Sequence, residues 1–282
     1  MVIPALNEEA TIGRVIEELR RVHPTIARIV VVDDGSRDRT SATAEQAGAT
    51  VVRHPVSRGY GASIKSGILA AREEFVLTVD ADGQHRTRNI AALFGRAEES
   101  DLVSGHRTRT IHSSPWRLPG KWLLKRLSSY LVRQPIPDLN CGLRLYRREA
   151  ILRYLPLCSD AYSFTATSMV LLLYWKHRVA FAPVDVQPAP SQGRVTVRTG
   201  LDTLMLILRI ATLLDPLRIF LPMSAVVFLF GVGWGVPYIL AGRGVSVGAL
   251  LLILTALLLF AVGLLSDQIA QLRQEQLRRS GS

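Results

Sequence analysis

The sequence predicts an α/β domain built on a mainly parallel sheet with helices on both faces, followed by an interface helix and a two-helix transmembrane hairpin. Three observations predict it. Short apolar, β-branched runs alternate with helical stretches over the first two thirds of the chain. Acidic clusters follow three successive strand candidates. Ile219 to Ser266 carries almost no charge, whereas the chain before it is mixed and charged.

The elements follow in order. Val2-Ile3 is an apolar run that Pro4 is expected to end, and Asn7-Glu8-Glu9 opens a helix to about Arg21. The run is short for a strand, which points to a start a few residues upstream. Ile29-Val30-Val31-Val32 is a continuous β-branched run, the mark of a strand buried on both faces, and Asp33-Asp34-Gly35-Ser36 ends it before a helix. Val51-Val52 is a short strand. Gly59 to Gly61 is a turn before a helix over Ala62 to Ala71. Phe75 to Val79 is a strand ending at Asp80-Ala81-Asp82, and Leu102-Val103-Ser104 is another. Ser163 to Trp175 reads as an apolar helix of the same domain, able to touch lipid. The domains expected are residues 1–198, an amphipathic interface helix over 199–217, two membrane helices within 218–268 (about 219–241 and 245–266), and a basic tail over 269–282.

Bulk properties narrow the classes. The chain has 282 residues, enough for one large domain and a small membrane part, and a formal net charge of +11. Such a charge suits an anionic membrane or phosphorylated substrates. Without zinc-finger spacing or an RNA-binding aromatic motif, no nucleic-acid partner is expected. Cys141 and Cys158 fit neither metal spacing nor a disulfide framework and read as buried small side chains in a reducing compartment. No basic stretch precedes an apolar core at the N-terminus, so the first domain is expected in the cytoplasm.

Ligands of open α/β sheets bind at the carboxyl ends of strands, where Glu8, Asp33, Asp34, Asp80 and Asp82 converge. In Asp80-Ala81-Asp82 two carboxylates on alternate residues point the same way in extended chain. With phosphate oxygens they suit Mg²⁺ or Mn²⁺, hard ions that take oxygen ligands. Gln84 adds a carbonyl oxygen, and His85 a nitrogen better suited to Mn²⁺. Alone, an Asp-x-Asp reads as a solvated acidic turn; its place after a buried strand reverses that. At Asp33-Asp34, one carboxylate is suited to accept hydrogen bonds from a base or ribose, while Asp34 or Ser36 is also suited to cap the next helix.

The set Val2-Ile3-Pro4-Ala5-Leu6-Asn7-Glu8-Glu9, Val32-Asp33-Asp34-Gly35-Ser36, Gly59-Tyr60-Gly61-Ala62 and Asp80-Ala81-Asp82-Gly83-Gln84-His85 resembles glycosyltransferase family 2 in order and spacing. Within it the chain resembles the branch of dolichol-phosphate mannose synthase and bacterial polyprenyl-phosphate glycosyltransferases, through Ser104-Gly105-His106-Arg107 and Asp138-Leu139-Asn140-Cys141-Gly142-Leu143-Arg144. The resemblance covers roughly residues 1–200. It implies a GT-A fold, with Pro4, Glu8, Asp33, Asp34, Gly61 and Asp80 toward the nucleotide-diphosphate sugar. It also implies Asp80, Asp82 and Gln84 toward the metal. Leu6 departs from the pattern, which commonly has an aromatic there. No Gln-x-x-Arg-Trp motif is present, which favours single transfer over polymerisation.

Cations are arranged for an anionic acceptor. Arg107 follows a strand, and Arg117, Lys121 and Lys125 are spaced by four among Trp116, Leu124, Leu127 and Leu131. They suit a lipid phosphate entering from the membrane surface, although a solvated amphipathic helix fits the same pattern. Arg194, in Gly193-Arg194-Val195-Thr196, matches a phosphate-holding arginine of the resembled branch; a basic juxtamembrane loop is compatible with that. The uncharged runs Ile219–Gly242 and Gly244–Ser266 each exceed the roughly 20 residues that span hydrocarbon. Arg194, Arg198, Arg209 and Arg218 before them, and Arg273, Arg278 and Arg279 after, put both termini in the cytoplasm.

The function expected is that of a metal-dependent, inverting transferase on the cytoplasmic face of the inner membrane. It moves one sugar from a nucleotide-diphosphate sugar to polyprenyl phosphate, with Asp82, Arg107 and Arg194 as catalytic residues. Homo-oligomers through the two helices are compatible with the sequence. The alternatives are transfer to a hydroxyl of another membrane lipid, or a non-enzymatic membrane protein with a degenerate transferase domain.

Overall fold

The computed structural model describes residues 1–81, 88–107, 122, 126, 128–185, 205, 209, 212 and 214–279, apart from the side chains of 88 and 277–279. The chain divides into two compact units, Met1–Leu201 and Asp202–Ser282.

In the first unit, seven strands form one mixed sheet in the order β3-β2-β1-β4-β6-β5-β7. They are β1 (Val2–Ala5), β2 (Val30–Asp33), β3 (Thr50–Arg53), β4 (Phe75–Thr78), β5 (Leu102–Arg107), β6 (Arg144–Arg147) and β7 (Val179–Val184). The half from β3 to β4 is parallel, as the alternation of strands and helices predicts. Beyond it, β6 runs antiparallel between β4 and β5, and β5 pairs with β7 in parallel. Neither β6 nor β7 was expected from the sequence. The Arg144-Leu145-Tyr146-Arg147 stretch has no continuous apolar run, yet Arg144 and Tyr146 are as buried as Leu145.

Pro4 does not end β1. It pairs with Val32 in the parallel ladder. In a parallel strand the N–H and C=O of one residue point to the same neighbour. Val30 N donates to Met1 O and Asp34 N to Ala5 O, so alternate residues face β2, and Val2 and Pro4 face β4. Pairing with β4 stops at Val2↔Thr78, where Pro4 has no N–H to extend it, and the ladder to β2 is untouched.

The helices of this unit are α1 (Ile12–Val22), α2 (Thr40–Gln46), α3 (Tyr60–Ala70), α4 (Arg88–Phe94), α5 (Arg148–Leu152) and α6 (Phe164–Tyr174). Ile12, Ile16 and Leu19 of α1 are buried at helical spacing, and Arg20 and Arg21 lie in its last turn, where cations complement the dipole. α1 starts at Ile12 rather than Asn7. Asn7 takes a left-handed conformation (φ 56°), and the turn instead bridges to the loop after β2. Every residue of α6 from Phe164 to Leu173 is buried, which leaves no face for the lipid contact expected of it.

In the second unit, α7 (Leu217–Leu240) and α8 (Val247–Arg279) form an antiparallel hairpin, each long and apolar enough to cross a membrane. The turn needs Gly242 and Gly244, both at positive φ (68° and 76°). Gly231 and Gly235 of α7 allow close approach to Ile253 and Ala249 of α8. α8 does not stop near residue 266 but runs to Arg279. No breaker follows Ser266, and Gln271 Nε2 donates to Asp267 Oδ2 at 2.7 Å one turn earlier. Of the interface helix expected over 199–217, the described residues Met205, Arg209, Thr212 and Leu214 are helical.

Candidate active-site cleft

The cleft lies at the carboxyl ends of β1, β2 and β4, where an open α/β sheet binds its ligands. It has a volume of about 440 Å³ and is lined by Pro4, Ala5, Leu6, Glu8, Asp34, Ser57, Gly59, Tyr60, Ser63, Asp80, Ala81, Asn140, Gly142, Tyr162 and Thr165. Four of the residues expected to bind the nucleotide sugar thus share its wall: Pro4, Glu8, Asp34 and Asp80.

Two loops build the end of the cleft beside β1 and β2. Asn7 N donates to Ser36 Oγ at 2.9 Å, Arg37 N to Asn7 Oδ1 at 3.0 Å, and Glu8 N to Thr40 Oγ1 at 2.8 Å. They bind the segment after β1 to the segment after β2. Thr11 Oγ1 donates to Glu8 Oε2 at 2.5 Å and orients that carboxylate.

Asp33 and Asp34 divide their work differently from expectation. Asp33 does not line the cleft. Its buried carboxylate accepts from Ser36 N at 2.8 Å and from Ser41 Oγ, with Arg53 at 3.7 Å. It shapes its own loop. Asp34 faces the cleft, but its oxygens accept four donors: His54 Nδ1 at 2.7 Å and Arg58 N at 2.9 Å on Oδ1, Ser57 Oγ at 2.7 Å and Gly59 N at 2.9 Å on Oδ2. A carboxylate has about four lone-pair sites, so the protein itself fills them. Burial alone would raise its pKa, but the donors from Arg58, His54, Ser57 and Gly59 outweigh burial and hold it at about 2. Asp34 therefore anchors the 57–59 loop. Neither Asp34 nor Ser36 caps α2, which starts later, at Thr40.

Gly61 has a packing role. A Cβ there would sit 2.2 Å from Ser159 O, and one on Gly59 (φ 103°) 2.6 Å from Asp160 O. Asp160 O accepts from Ala62 N at 3.0 Å, so the segment 159–161 covers the start of α3. Lys65 Nζ fastens it by donating to Cys158 O and Asp160 Oδ1. The glycines are required by this close backbone approach.

At the end of the cleft beside β4, Tyr60 donates its hydroxyl to Asp80 Oδ1 at 2.9 Å and stacks on Tyr162, with ring centroids 5.3 Å apart and planes inclined by 14°. Burial, with the Asp80 charge beside it, pushes the Tyr60 phenol far above its ordinary range, so it remains a donor. Asp80 offers the hard carboxylate oxygen that suits Mg²⁺ or Mn²⁺. Among the described residues no group of three His, Cys, Asp or Glu side chains forms a metal site by itself. The two other expected ligands, Asp82 and Gln84, lie outside the described residues, as do His85, Arg117, Lys121, Lys125 and Arg194.

Arg107 ends β5 and does not line the cleft. Asp138 grips it in a two-pronged pair, from Nε at 2.7 Å and Nη2 at 3.0 Å. The hydrogen bond to Asp138 raises the Arg107 pKa against its burial, and the same pair holds Asp138 low. Arg144 was quoted only as part of a motif, and the structure makes it central. Fully buried, it donates to Cys141 O at 2.9 Å, Leu139 O at 2.8 Å, Thr165 O and Ser168 Oγ, and so shapes the 138–142 loop that carries Asp138, Asn140 and Gly142. Tyr60, Tyr162 and Asn140 escaped the sequence reading as site residues. Tyr60 lies inside the Gly59-Tyr60-Gly61 motif, which was its only signal.

The fold is that of glucosyl-3-phosphoglycerate synthase from Mycobacterium tuberculosis, whose structure with Mn²⁺, uridine diphosphate and phosphoglyceric acid superposes with a TM-score of 0.61 at 21% identity over 75% of this chain and 76% of that chain. The same enzyme has been solved with Mg²⁺ and uridine diphosphate. The fold is of the GT-A type. Residues 1–155 match the model of glycosyl transferase family 2, and residues 215–272 that of the GtrB C-terminal hairpin. The chain belongs to glycosyl transferase family 2. An uncharacterised protein of Methanocaldococcus jannaschii is 29% identical over 72% of this chain and 86% of its own length. The dolichyl-phosphate hexose transferase of Haloferax volcanii is 33% identical over 54% of this chain and 67% of its own. The undecaprenyl-phosphate 4-deoxy-4-formamido-L-arabinose transferase of Pseudomonas aeruginosa is 34% identical over 54% of this chain, and the match spans about half of that relative, 47%.

Proposed function

We propose that the enzyme transfers one sugar from a nucleotide-diphosphate sugar to a polyprenyl phosphate, with Mg²⁺ or Mn²⁺, at the cytoplasmic face of a membrane. The observation that carries this reading is the cleft that joins Pro4, Glu8 and Asp80 at the strand ends, in a chain that also bears two apolar helices. The Haloferax and Pseudomonas relatives, by name a dolichyl-phosphate hexose transferase and an undecaprenyl-phosphate sugar transferase, support the acceptor class.

In this reading an oxygen of the lipid phosphate attacks the sugar carbon. The bond from that carbon to the diphosphate breaks, and the nucleoside diphosphate leaves with inversion. The acceptor is already an anion, so no general base is required. Glu8 and Pro4 border the nucleoside, and the loop anchored by Asp34 shapes that wall. Asp80, with Asp82 and Gln84, would hold the divalent ion, which neutralises charge on the departing diphosphate. Arg107, fixed by Asp138, and Arg117, Lys121 and Arg194 would grip the acceptor phosphate and align it. The hairpin α7–α8 would hold the chain in the inner membrane with both termini cytoplasmic.

The experiment incubates membranes containing the protein with a panel of radiolabelled nucleotide sugars and undecaprenyl phosphate. A labelled lipid is expected that requires divalent metal and falls by on the order of 100-fold or more in Asp82→Ala and Arg194→Ala. Full activity in excess chelator refutes the metal role. Label on a hydroxyl lipid in place of the phosphate refutes the acceptor.

A further inference from the structure

We infer that Tyr60 and Gly142 form a two-sided clamp that sets the orientation of the Asp80 carboxylate for a divalent cation. The inference rests on the proposed role of Asp80 as a metal ligand and assigns two further residues to that role. On one side, the Tyr60 hydroxyl donates to Asp80 Oδ1 at 2.9 Å. On the other, the bare Cα of Gly142 lies against the carboxylate: a Cβ there would be 2.4 Å from Oδ2 and 3.0 Å from Cγ.

Each jaw is itself held. Thr78, the last residue of β4, donates its hydroxyl to Gly142 O at 2.9 Å, so the glycine is tied to the strand that leads to Asp80. Arg144 fixes Leu139 O and Cys141 O just before it. Tyr60 is the first residue of α3, directly after Gly59, whose N–H is held by Asp34, and its ring is stacked on Tyr162. Tyr60, Gly142 and Asp80 come from three separate segments and meet in the cleft wall.

The chemistry gives the arrangement a purpose. A carboxylate beyond a strand end has rotational freedom that is lost on ligation. Holding it in one orientation beforehand removes that cost from binding. A neutral phenol suits the task because it donates one proton and places no competing charge beside the cation. Partners that orient ligating carboxylates change metal affinity by on the order of 10- to 100-fold when removed. A purely structural Tyr60 would need its ring but not its hydroxyl.

The test uses the full chain in detergent, with Mn²⁺ alone as the probe and the free Mn²⁺ signal followed by electron paramagnetic resonance. Four proteins are compared: wild type, Tyr60→Phe, Gly142→Ala and Asp80→Asn. Tyr60→Phe keeps the stacked ring and should unfold at the wild-type temperature while binding Mn²⁺ about tenfold more weakly, with the same shift in the Mn²⁺ concentration for half-maximal turnover. Gly142→Ala should weaken binding with the hydroxyl still in place, and it decides alone if Tyr60→Phe does not fold. Asp80→Asn should lose binding. Wild-type Mn²⁺ affinity in both Tyr60→Phe and Gly142→Ala, with binding lost in Asp80→Asn, overturns the clamp and leaves the Asp80 role standing. Equal binding by Asp80→Asn and wild type overturns both.

Discussion

At the scale of single residues, the cleft is organised by buried polar groups held by other parts of the chain. Asp34 is the clearest. Its four donors come from His54 and from three successive residues of one loop. Removing it leaves those donors in a buried site without an acceptor, and hydrogen bonds to a charged group contribute about 1.5–3 kcal/mol each. Asp34→Ala is expected to lower stability by at least about 3 kcal/mol, measured by thermal unfolding in detergent. The acid dependence has a definite sign. The folded pKa is held at about 2, below the ordinary value near 4 of the unfolded chain. The stability from this group is fully present above pH about 4 and is lost as pH falls toward about 2. The variant should lack that part of the acid slope; an unchanged slope would contradict the assignment. Arg144 belongs to the same class. Its guanidinium is enclosed by carbonyl and hydroxyl oxygens, and it converts the 138–142 loop from irregular chain into a wall of the cleft.

Between elements, the decisive approach is that of the 159–161 segment to the start of α3. Asp160 O caps Ala62 N, and the segment lies so close that Gly59 and Gly61 have no room for side chains. Gly61→Ala should destabilise the protein by about 2 kcal/mol through overpacking. It should also weaken nucleotide-sugar binding, because Tyr60 and Tyr162 can no longer both keep their places. Unfolding temperature and equilibrium binding of the productive nucleotide sugar check the two effects separately, and wild-type values in both would show that the contact is not tight. At this scale the sequence was legible in part. The runs at Ile29–Val32 and Phe75–Val79 became β2 and β4 because burial on both faces leaves a continuous apolar signature. β6 left none, since its buried members include Arg144 and Tyr146, whose polar atoms are satisfied by carbonyls of the 138–142 loop and by Thr165 and Ser168 of α6. Periodicity detects where apolar side chains go, and it is silent where a polar residue is buried with a partner.

Across the whole molecule, two units carry two kinds of surface. Met1–Leu201 encloses its own core, with Ile3, Ile12, Val31, Leu77, Val103 and Leu145 all buried. Asp202–Ser282 exposes large apolar side chains along both helices, among them Leu229, Phe230, Trp234, Leu250, Leu254 and Leu258. Apolar surface of this extent is stable in hydrocarbon and a liability in water. The chain truncated after residue 201 is therefore expected to fold and to remain in the supernatant after high-speed centrifugation, whereas the full chain pellets with membranes. A full chain that is soluble without detergent would remove the membrane role from the hairpin.

By itself the sequence determined the strand candidates of the parallel half, the acidic ends of β1, β2 and β4, and the two apolar helices, while the order of the strands came from the fold. Each is written in a local run: period, burial and charge within a few tens of residues. The tertiary structure alone decided what those acidic residues face. It turned Asp33 into its own loop, filled Asp34 with donors from residues 54–59, and set Tyr60 and Gly142 against Asp80 across separations of 20 and more residues. A carboxylate carries no mark of its partner. Which donor reaches it depends on where distant segments return to the sheet, and only the packing of the whole domain sets that.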